Sequence, residues 1–503
     1  MTAVAHLKLV PDNHVDHEIA EIEGDILAKK RQMIKGGKNP ADLLPPSGEP
    51  RRYDDLANAA HFLSIIGDEM LYCAEAKKWF IWKGTCWEPD REDFVFDFAA
   101  EFAQSLYDDA TDEAALKNAK RACNKSGFTA FLDLAQRKKA TSIATFDDKD
   151  QTGRLLNCRN GTLDLKTGDL RPHDRADRIT RSVNCDFLAE APAPTFIKFL
   201  ERIQPDPTIR AFLQRSIGYS LLGSVRERSF WILYGTGNNG KSIFTNLILN
   251  LLGEYGSTTT TQSIMQGSRS AIPNDIARLK GKRFIVVPET EENERMNAAL
   301  VKALSAGDKV SARFLFAEFF DFYFTGKLWI ATNHKPTITD HSKGFWDRCK
   351  LVPFAEDIPA SEVIKSDDLT RGLMAEASGI LAWMVQGARD YFESDGLDVP
   401  PVIQAEIDAY KFEQDSVAQF LEERCQTLDA AREIREKNPS VYFTESEFQI
   451  SNSDLYKAYE KFCRDNGEYQ RSHRRFSQNM KERGFRQGNS SGRYWEGIRL
   501  VSE

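Results

Sequence analysis

No two of the eight cysteines in this 503-residue chain stand in a Cys-x-x-Cys pair. Cys73, Cys86, Cys123, Cys158, Cys185, Cys349, Cys425 and Cys463 are scattered instead. That spacing argues against a zinc ribbon and against a disulfide framework, and it points to reduced thiols in cytoplasm. Long apolar runs are missing too. None approaches the ~20 residues that cross a bilayer, and the opening MTAVAHLKLVPDNHVDHE lacks the basic-then-apolar order of a secretory signal. No membrane partner is expected. Excess positive charge is also absent: Lys and Arg number 67 against 75 Asp and Glu, a net charge of −8. This disfavours a nucleic-acid coat protein, so any contact with nucleic acid must come from local clustering of charge. What remains, 41% apolar and 28% charged residues, is the composition of a soluble globular protein, and the length calls for two to four domains.

The richest stretch is FWILYGTGNNGKSIFTNLILNLLG at 230–253. It holds a complete phosphate-binding loop: Gly235, then Thr236, Gly237, Asn238 and Asn239, then Gly240, Lys241 and Ser242, running into Ile243. Glycines let the backbone turn tightly enough for successive N–H groups to face phosphate oxygens. Lys241 neutralises the β- and γ-phosphates, and the Ser242 hydroxyl ligates Mg²⁺. The apolar run Phe230–Tyr234 predicts a buried strand entering the loop. Ile243, Phe244, Leu247, Ile248 and Leu251 recur at helical spacing up to a stop at Gly253. A helix starting at the loop adds its dipole to the anion site. The pattern predicts a nucleoside triphosphate, ATP with Mg²⁺, as ligand.

Around this loop the chain divides into four stretches. Residues 1–53 read as a short charged helix near 16–35 and a Gly/Pro-rich linker, GGKNPADLLPPSGEPRR. Residues 54–200 mix helix with short strands. Two strands are expected around Lys83-Gly84, and hairpin turns at Asn160-Gly161 and at 166–169. Trp79, Trp82 and Trp87 are expected to pack a small sheet rather than stack on bases. Residues 201–398 carry the nucleotide site. In 399–503, a helix near 402–424 and a loop at 430–446 are expected before a compact terminal unit, 451–503.

A phosphate loop needs an acidic element to hold metal-bound water and activate the attacking one. Lys282–Val287 predicts a second buried strand, followed at once by Glu289, Glu291 and Glu292. One of Glu289 and Glu291 is placed to organise Mg²⁺, and the other to polarise water. A third apolar strand, Lys327–Ala331, ends in Thr332-Asn333-His334-Lys335-Pro336, where Asn333 can sense the γ-phosphate. Arg348, in Gly344-Phe345-Trp346-Asp347-Arg348, suits a finger reaching a neighbouring subunit's γ-phosphate.

Taken together, GTGNNGKS, VVPETEE, LVKALSAGDKVSARFLF, LWIATNHKP and GFWDR resemble, in order and spacing, the motifs of superfamily 3 helicases. The nearest likeness is to the phage/plasmid primase–helicase family that includes the poxvirus primase–helicase. WFIWKGTCWEPD and LLNCRNGTLDLKTGDLRPHD are similar to that family's N-terminal helicase-associated domain. The resemblance covers roughly residues 55–500. It implies an α/β fold with an AAA+-type P-loop ATPase core, an N-terminal α+β domain and a C-terminal winged helix. It also implies a ring, a hexamer, with ATP at subunit interfaces and 3′-to-5′ translocation on single-stranded DNA in the cytoplasm of a bacterial host. Asn333 then corresponds to sensor 1 and Arg348 to the trans-acting finger. Leu304–Asp321 becomes a hairpin touching DNA in the pore, with Lys309 and Arg313 carrying its charge. Two features depart from the family. Relatives often carry a lysine near the position of Ala317, and Pro288 replaces one of two adjacent carboxylates ahead of Glu289. The 53 residues before the helicase-associated region are too few for a primase domain, so a separate primase or polymerase is the expected partner.

The terminal stretch 451–503 has eleven basic and seven acidic residues. Leu455, Tyr456, Tyr459 and Phe462 space as one amphipathic helix, and Phe476, Met480 and Phe485 as a second. Gly492-Arg493-Tyr494-Trp495 reads as a β-wing ahead of Ile498–Val501. Arg474, Arg475 and Lys481 are expected to face the phosphates of duplex DNA, against the alternative of a solvated basic face. The expectation is an ATP-dependent replicative DNA helicase of a phage, plasmid or mobile element. The rivals are an AAA+ loader or remodelling ATPase and an origin-binding initiator that does not unwind.

Overall fold

A run of aromatic and branched residues is stable as a strand only where both its faces are covered, and the centre of this molecule meets that demand. The computed structural model describes residues 53–142, 146–147, 153–266, 273–289, 294–313, 319–359, 361–362, 366–488 and 494–501. The expected N-terminal helix near 16–35 and its linker lie outside these, as do Glu291, Glu292, Ala317, Gly492 and Arg493.

Five parallel strands form the central sheet: β1 (Phe230–Tyr234), β2 (Gly256–Thr258), β3 (Phe284–Val287), β4 (Lys327–Thr332) and β5 (Cys349–Pro353), in the spatial order β5–β1–β4–β3–β2. Trp231 of β1 stands directly opposite Trp329 of β4, and their rings stack with centroids 4.7 Å apart at an interplanar angle of 6°. Both are fully buried, each worth roughly 1.5–3 kcal/mol or more by area. Helix α1 (Lys241–Leu252) leaves the loop after β1 and ends at Gly253, whose φ of 51° favours glycine. Helix α2 (Ala298–Ala306), capped by the Asn297 side chain, follows β3. Helices Pro207–Ser220 and Ala377–Glu393 cross in near backbone contact, because Gly218 and Gly387 carry no side chain there. A Cβ on Gly218 would sit 2.0 Å from the Ala388 nitrogen.

Residues 55–141 have a core of their own. Phe62, Phe98, Phe102 and Phe131 cluster under four helices, against a sheet that buries Trp79. Trp87 is buried in a small neighbouring cluster, and Trp82 is half-buried at its edge. From Leu156 onward, however, buried side chains join the large core of the central sheet, ahead of the expected boundary at 200. One buried cation, Arg283, reaches across that boundary through its bond to Leu155. Arg283, at the foot of β3, donates to the carbonyls of Leu221 (2.6 Å) and Leu155 (2.9 Å) and lies 4.4 Å from the Tyr255 ring centroid. Lys327 donates to three carbonyls, those of Leu222, Ser224 and Thr325, and burial lowers its pKa well below the ordinary value.

Toward the C-terminus the expected single helix at 402–424 is two, Pro401–Glu413 and Ser416–Arg424. Asp415 breaks the run and caps the second with its carboxylate. The expected loop at 430–446 contains a helix, Leu428–Lys437, capped by Thr427 and packed through Ala431 on Phe443 and Phe448. The last unit has helices Asn452–Asn466 and His473–Glu482, a three-stranded sheet (449–451, 494–496 and 486–487), and Ile498–Leu500 paired with Cys425–Thr427.

Candidate functional site

Ligands of parallel sheets bind beyond the carboxyl ends of the strands, and the residues expected to act chemically collect at that edge. The loop from Gly235 to Gly240 leaves β1 there. Gly237 and Gly240 have φ of 105° and 79°, and Asn238 one of 43°, the left-handed conformations that a tight phosphate loop needs. Asn239 is buried, and its amide donates to the Phe354 carbonyl at 3.0 Å, just past β5. A Cβ on Gly235 would collide with that carbonyl and with the Asn239 amide, and one on Gly240 with Ile203. The loop is thereby wedged between β5 and helix Pro194–Ile203. Thr236, Asn238 and Ser242 are exposed, while Gly237 and Ile243 are half-buried.

Lys241 is buried. Its ammonium donates to the Gly235 carbonyl (2.8 Å), Asn239 Oδ1 (2.8 Å) and Asn333 Oδ1 (3.0 Å). Burial lowers its pKa to about 8, and the Glu289 carboxylate opposes that shift. Asn333 follows β4 and Glu289 follows β3, the adjacent strand. The Asn333 amide donates to Glu289 Oε1. One asparagine therefore bridges the loop lysine and the acidic residue. Thr261 holds the backbone beneath, its hydroxyl donating to the carbonyls of Pro288 (3.4 Å) and Glu289 (3.3 Å). An open cavity of about 620 Å³, lined in part by Thr259, Thr261, Arg278 and Glu289, adjoins this carboxylate.

Among the described residues no cluster of three or more His, Cys, Asp or Glu could hold a metal ion. The exposed Ser242 hydroxyl and Glu289 carboxylate do suit Mg²⁺, which keeps several waters and takes the rest of its shell from substrate phosphates.

The remaining candidates lie elsewhere. Arg348 precedes β5 and so stands at the opposite edge of the sheet. Its guanidinium donates to the carbonyls of Gly344 (2.9 Å) and Lys302 (2.6 Å) and to Ser305 Oγ (3.3 Å), tying down the last turn of α2. It does not join the nucleotide site of its own chain. Lys309 and Arg313 belong to a hairpin pairing Lys309–Ala312 with Phe320–Tyr323. Lys309 forms an ion pair with Asp321 (3.0 Å), and the Arg313 guanidinium lies 4.9 Å from the Phe319 ring centroid. Arg474, Arg475 and Lys481 are all exposed on helix His473–Glu482, whose Phe476 and Met480 are buried.

Asn239, Thr261 and Phe354 position this site through contacts that no motif announces. Of the three, only Asn239 lies in the loop that the sequence marked; Thr261 and Phe354 carried no signal of their own. Another such contact involves Lys335, two residues beyond Asn333. Its ammonium pairs with both Glu413 oxygens (3.0 and 2.9 Å), between the rings of Tyr234 and Tyr410.

Three stretches of the chain are similar to known protein families. Residues 59–205 match a family described as D5 N terminal like, 233–348 a family of unknown function (DUF5906), and 413–495 a family described as Poxvirus D5 protein-like. The chain is 29% identical over 233 residues to "Putative helicase L207/L206" of Acanthamoeba polyphaga mimivirus, covering 45% of this chain and 24% of that protein. It is 27% identical over 297 residues to "Putative helicase 022R" of Frog virus 3 (isolate Goorha), 55% of this chain and 30% of that one. It is 23% identical over 298 residues to "Putative primase C962R" of African swine fever virus (strain Badajoz 1971 Vero-adapted), 55% of this chain and 31% of that one. The chain thus carries two D5-like regions and spans less than a third of the length of these relatives. The apo structure of the NrS-1 C terminal region (305–718) superposes with a TM-score of 0.51 at 11% identity, covering 89% of this chain and all of that one. This is a likeness of fold, mixed α and β.

Proposed function

We propose that the chain is an ATP-driven DNA helicase of the superfamily 3 type, with an AAA+ core and a winged-helix end. The observation that carries this is the bridge Lys241–Asn333–Glu289, in which one side chain touches both the phosphate-loop lysine and a carboxylate. A γ-phosphate arriving at Lys241 competes for the ammonium that Asn333 now holds. Asn333 is then free to bond the phosphate, and Glu289 to organise water or Mg²⁺. Support also comes from the strand order β5–β1–β4–β3–β2 with the loop at the end of its second strand, and from the viral relatives named as helicases.

In this reading Arg348, at the far edge of its own sheet, serves the neighbour's site in a hexameric ring. The hairpin bearing Lys309 and Arg313 faces single-stranded DNA in the channel, and the strand passes 3′ to 5′. Arg474, Arg475 and Lys481 approach duplex phosphates. The setting is a phage, plasmid or integrated mobile element. The test is ATP hydrolysis with and without DNA, alongside unwinding of forks tailed on one strand only. DNA-stimulated turnover with unwinding from the 3′ tail is expected. Hydrolysis indifferent to DNA and no strand separation would point to a remodelling ATPase instead.

A further inference from the structure

A second cavity, about 510 Å³, opens where the segment after β4 meets the C-terminal unit. One wall is Thr337, Thr339 and His341 of that segment, with Arg295 from the stretch between β3 and α2 beside Thr337. The other is the turn Gly467–Arg471 between the two terminal helices. The turn is fixed from below. The buried Tyr459 hydroxyl accepts from the Arg471 nitrogen (3.1 Å) and donates to the Tyr469 carbonyl (3.4 Å), and Ser416 Oγ donates to the same carbonyl (3.0 Å). The backbone that carries Tyr469 and Arg471 is therefore held in place from below. Tyr469 is 58% exposed, a large ring left facing water, with the Arg295 guanidinium 5.2 Å from its centroid. Arg471 Nε and His341 Nδ1 are buried without a hydrogen-bond partner.

Two carboxylates line the cavity as well. Glu413 is already paired with Lys335, and burial raises the pKa of Glu468 above its ordinary value. Burial and the neighbouring Arg471 bring His341 down to about 4, which leaves a neutral ring able to share a hydrogen bond. An exposed ring beside a guanidinium, with an unsatisfied arginine nitrogen a short way along the wall, is the pattern that takes a base on its face and a phosphate on its edge. The volume suits a nucleotide-sized guest.

We propose that this cleft is a contact site for single-stranded DNA, separate from the hairpin and from the basic helix. One base stacks on Tyr469 beside Arg295, and the adjoining phosphodiester meets Arg471. The assignment rests on the helicase reading and extends it: the wall opposite Tyr469 continues the segment that begins at Asn333, so the strand is held against the element that contacts the nucleotide site.

The experiment uses the full chain and a fluorescein-labelled oligothymidylate, with anisotropy read at fixed salt. Tyr469→Leu and Arg295→Ala should each weaken binding about tenfold, as expected for loss of one stacked base. Tyr469→Phe, which keeps the ring, should bind as the parent does. Basal ATP hydrolysis and the melting temperature should be unchanged in all three. Affinities within twofold of the parent for both Tyr469→Leu and Arg295→Ala would overturn the assignment. So would Tyr469→Phe falling as far as Tyr469→Leu, or basal hydrolysis falling in step with binding. If DNA stimulates hydrolysis equally in parent and variants and affinity is unaltered, the cleft assignment alone fails. A parent that neither binds the oligonucleotide nor responds to DNA removes the helicase reading and this one with it.

Discussion

Lys241 and Asn333, ninety-two positions apart, meet at 3.0 Å in the crevice between β1 and β4. The contact joins the residue proposed to neutralise phosphate to the strand end proposed to report on it. Lys241→Ala should cut ATP hydrolysis by on the order of 10²–10³-fold, the usual cost of removing one charged or polar stabiliser. The loop's backbone is held independently by the Asn239–Phe354 bond, so the circular dichroism spectrum should not change. Turnover equal to the parent's would mean that phosphate is bound elsewhere.

The same lysine sets a pH dependence. Its pKa without ligand is about 8, lowered by burial, and a bound triphosphate restores the charged form. Binding therefore takes up a proton once the pH exceeds about 8, and affinity should fall by up to tenfold per pH unit above that point. Below it, affinity should be flat with respect to this group. The folding term has the opposite sign. The unfolded chain keeps this proton up to the ordinary lysine range, so this group's penalty to the fold is present at neutral pH and is relieved as pH rises from about 8 toward 10.5. Calorimetry in buffers of different ionisation enthalpy measures the proton uptake. Uptake at pH 7 equal to that at pH 9 would contradict the assignment.

Glu289→Gln should leave nucleotide binding intact and slow hydrolysis by on the order of 10²–10⁴-fold, if the carboxylate orients the attacking water. The amide still bonds Asn333, so the bridge survives and the two effects separate. A weaker defect here than in Glu291→Gln would reverse the order of the two residues.

Arg348→Ala should bind ATP and fail to hydrolyse it, a loss on the order of 10³–10⁵-fold for a finger acting across an interface. Because this arginine also holds the Lys302 carbonyl and Ser305 at the end of α2, loss of activity alone is not diagnostic. Mixing with Lys241→Ala subunits is: some interfaces then combine an intact loop with an intact arginine, and ATPase activity should rise at intermediate ratios. Strictly additive residual activity would count against the trans role and against the ring.

Replacing Arg474, Arg475 and Lys481 with alanine should weaken duplex binding and lower its salt slope by about one per lost phosphate contact. Basal ATPase should be unaltered. Point changes are preferable to deleting 451–503, because Ile498–Leu500 pairs with Cys425–Thr427 and the removed helices cover Val417 and Phe420. A triple variant with unaltered affinity and salt slope would leave this face as solvation only.

Sequence alone determined the local frame of this protein. Phe230–Tyr234 is apolar throughout and can only be a covered strand, and the 3.6-residue spacing of Phe244, Leu247, Ile248 and Leu251 sets a helix that Gly253 ends. The terminal helices were legible for the same reason, since Leu455, Tyr459 and Phe462, like Phe476 and Met480, mark one buried face each. Tertiary structure decided whatever depends on long-range approach. Asn239 finds the Phe354 carbonyl only when β5 lies beside β1. Arg348 falls at the far edge of its sheet because all five strands are parallel. The core crosses the expected boundary at 200 because side chains from Leu156 onward pack into the core of the central sheet, and Arg283 beside β3 donates to the Leu155 carbonyl, a long-range contact that local pattern does not record. Periodicity records which face of an element is buried. It carries no record of which distant backbone atom that face will meet.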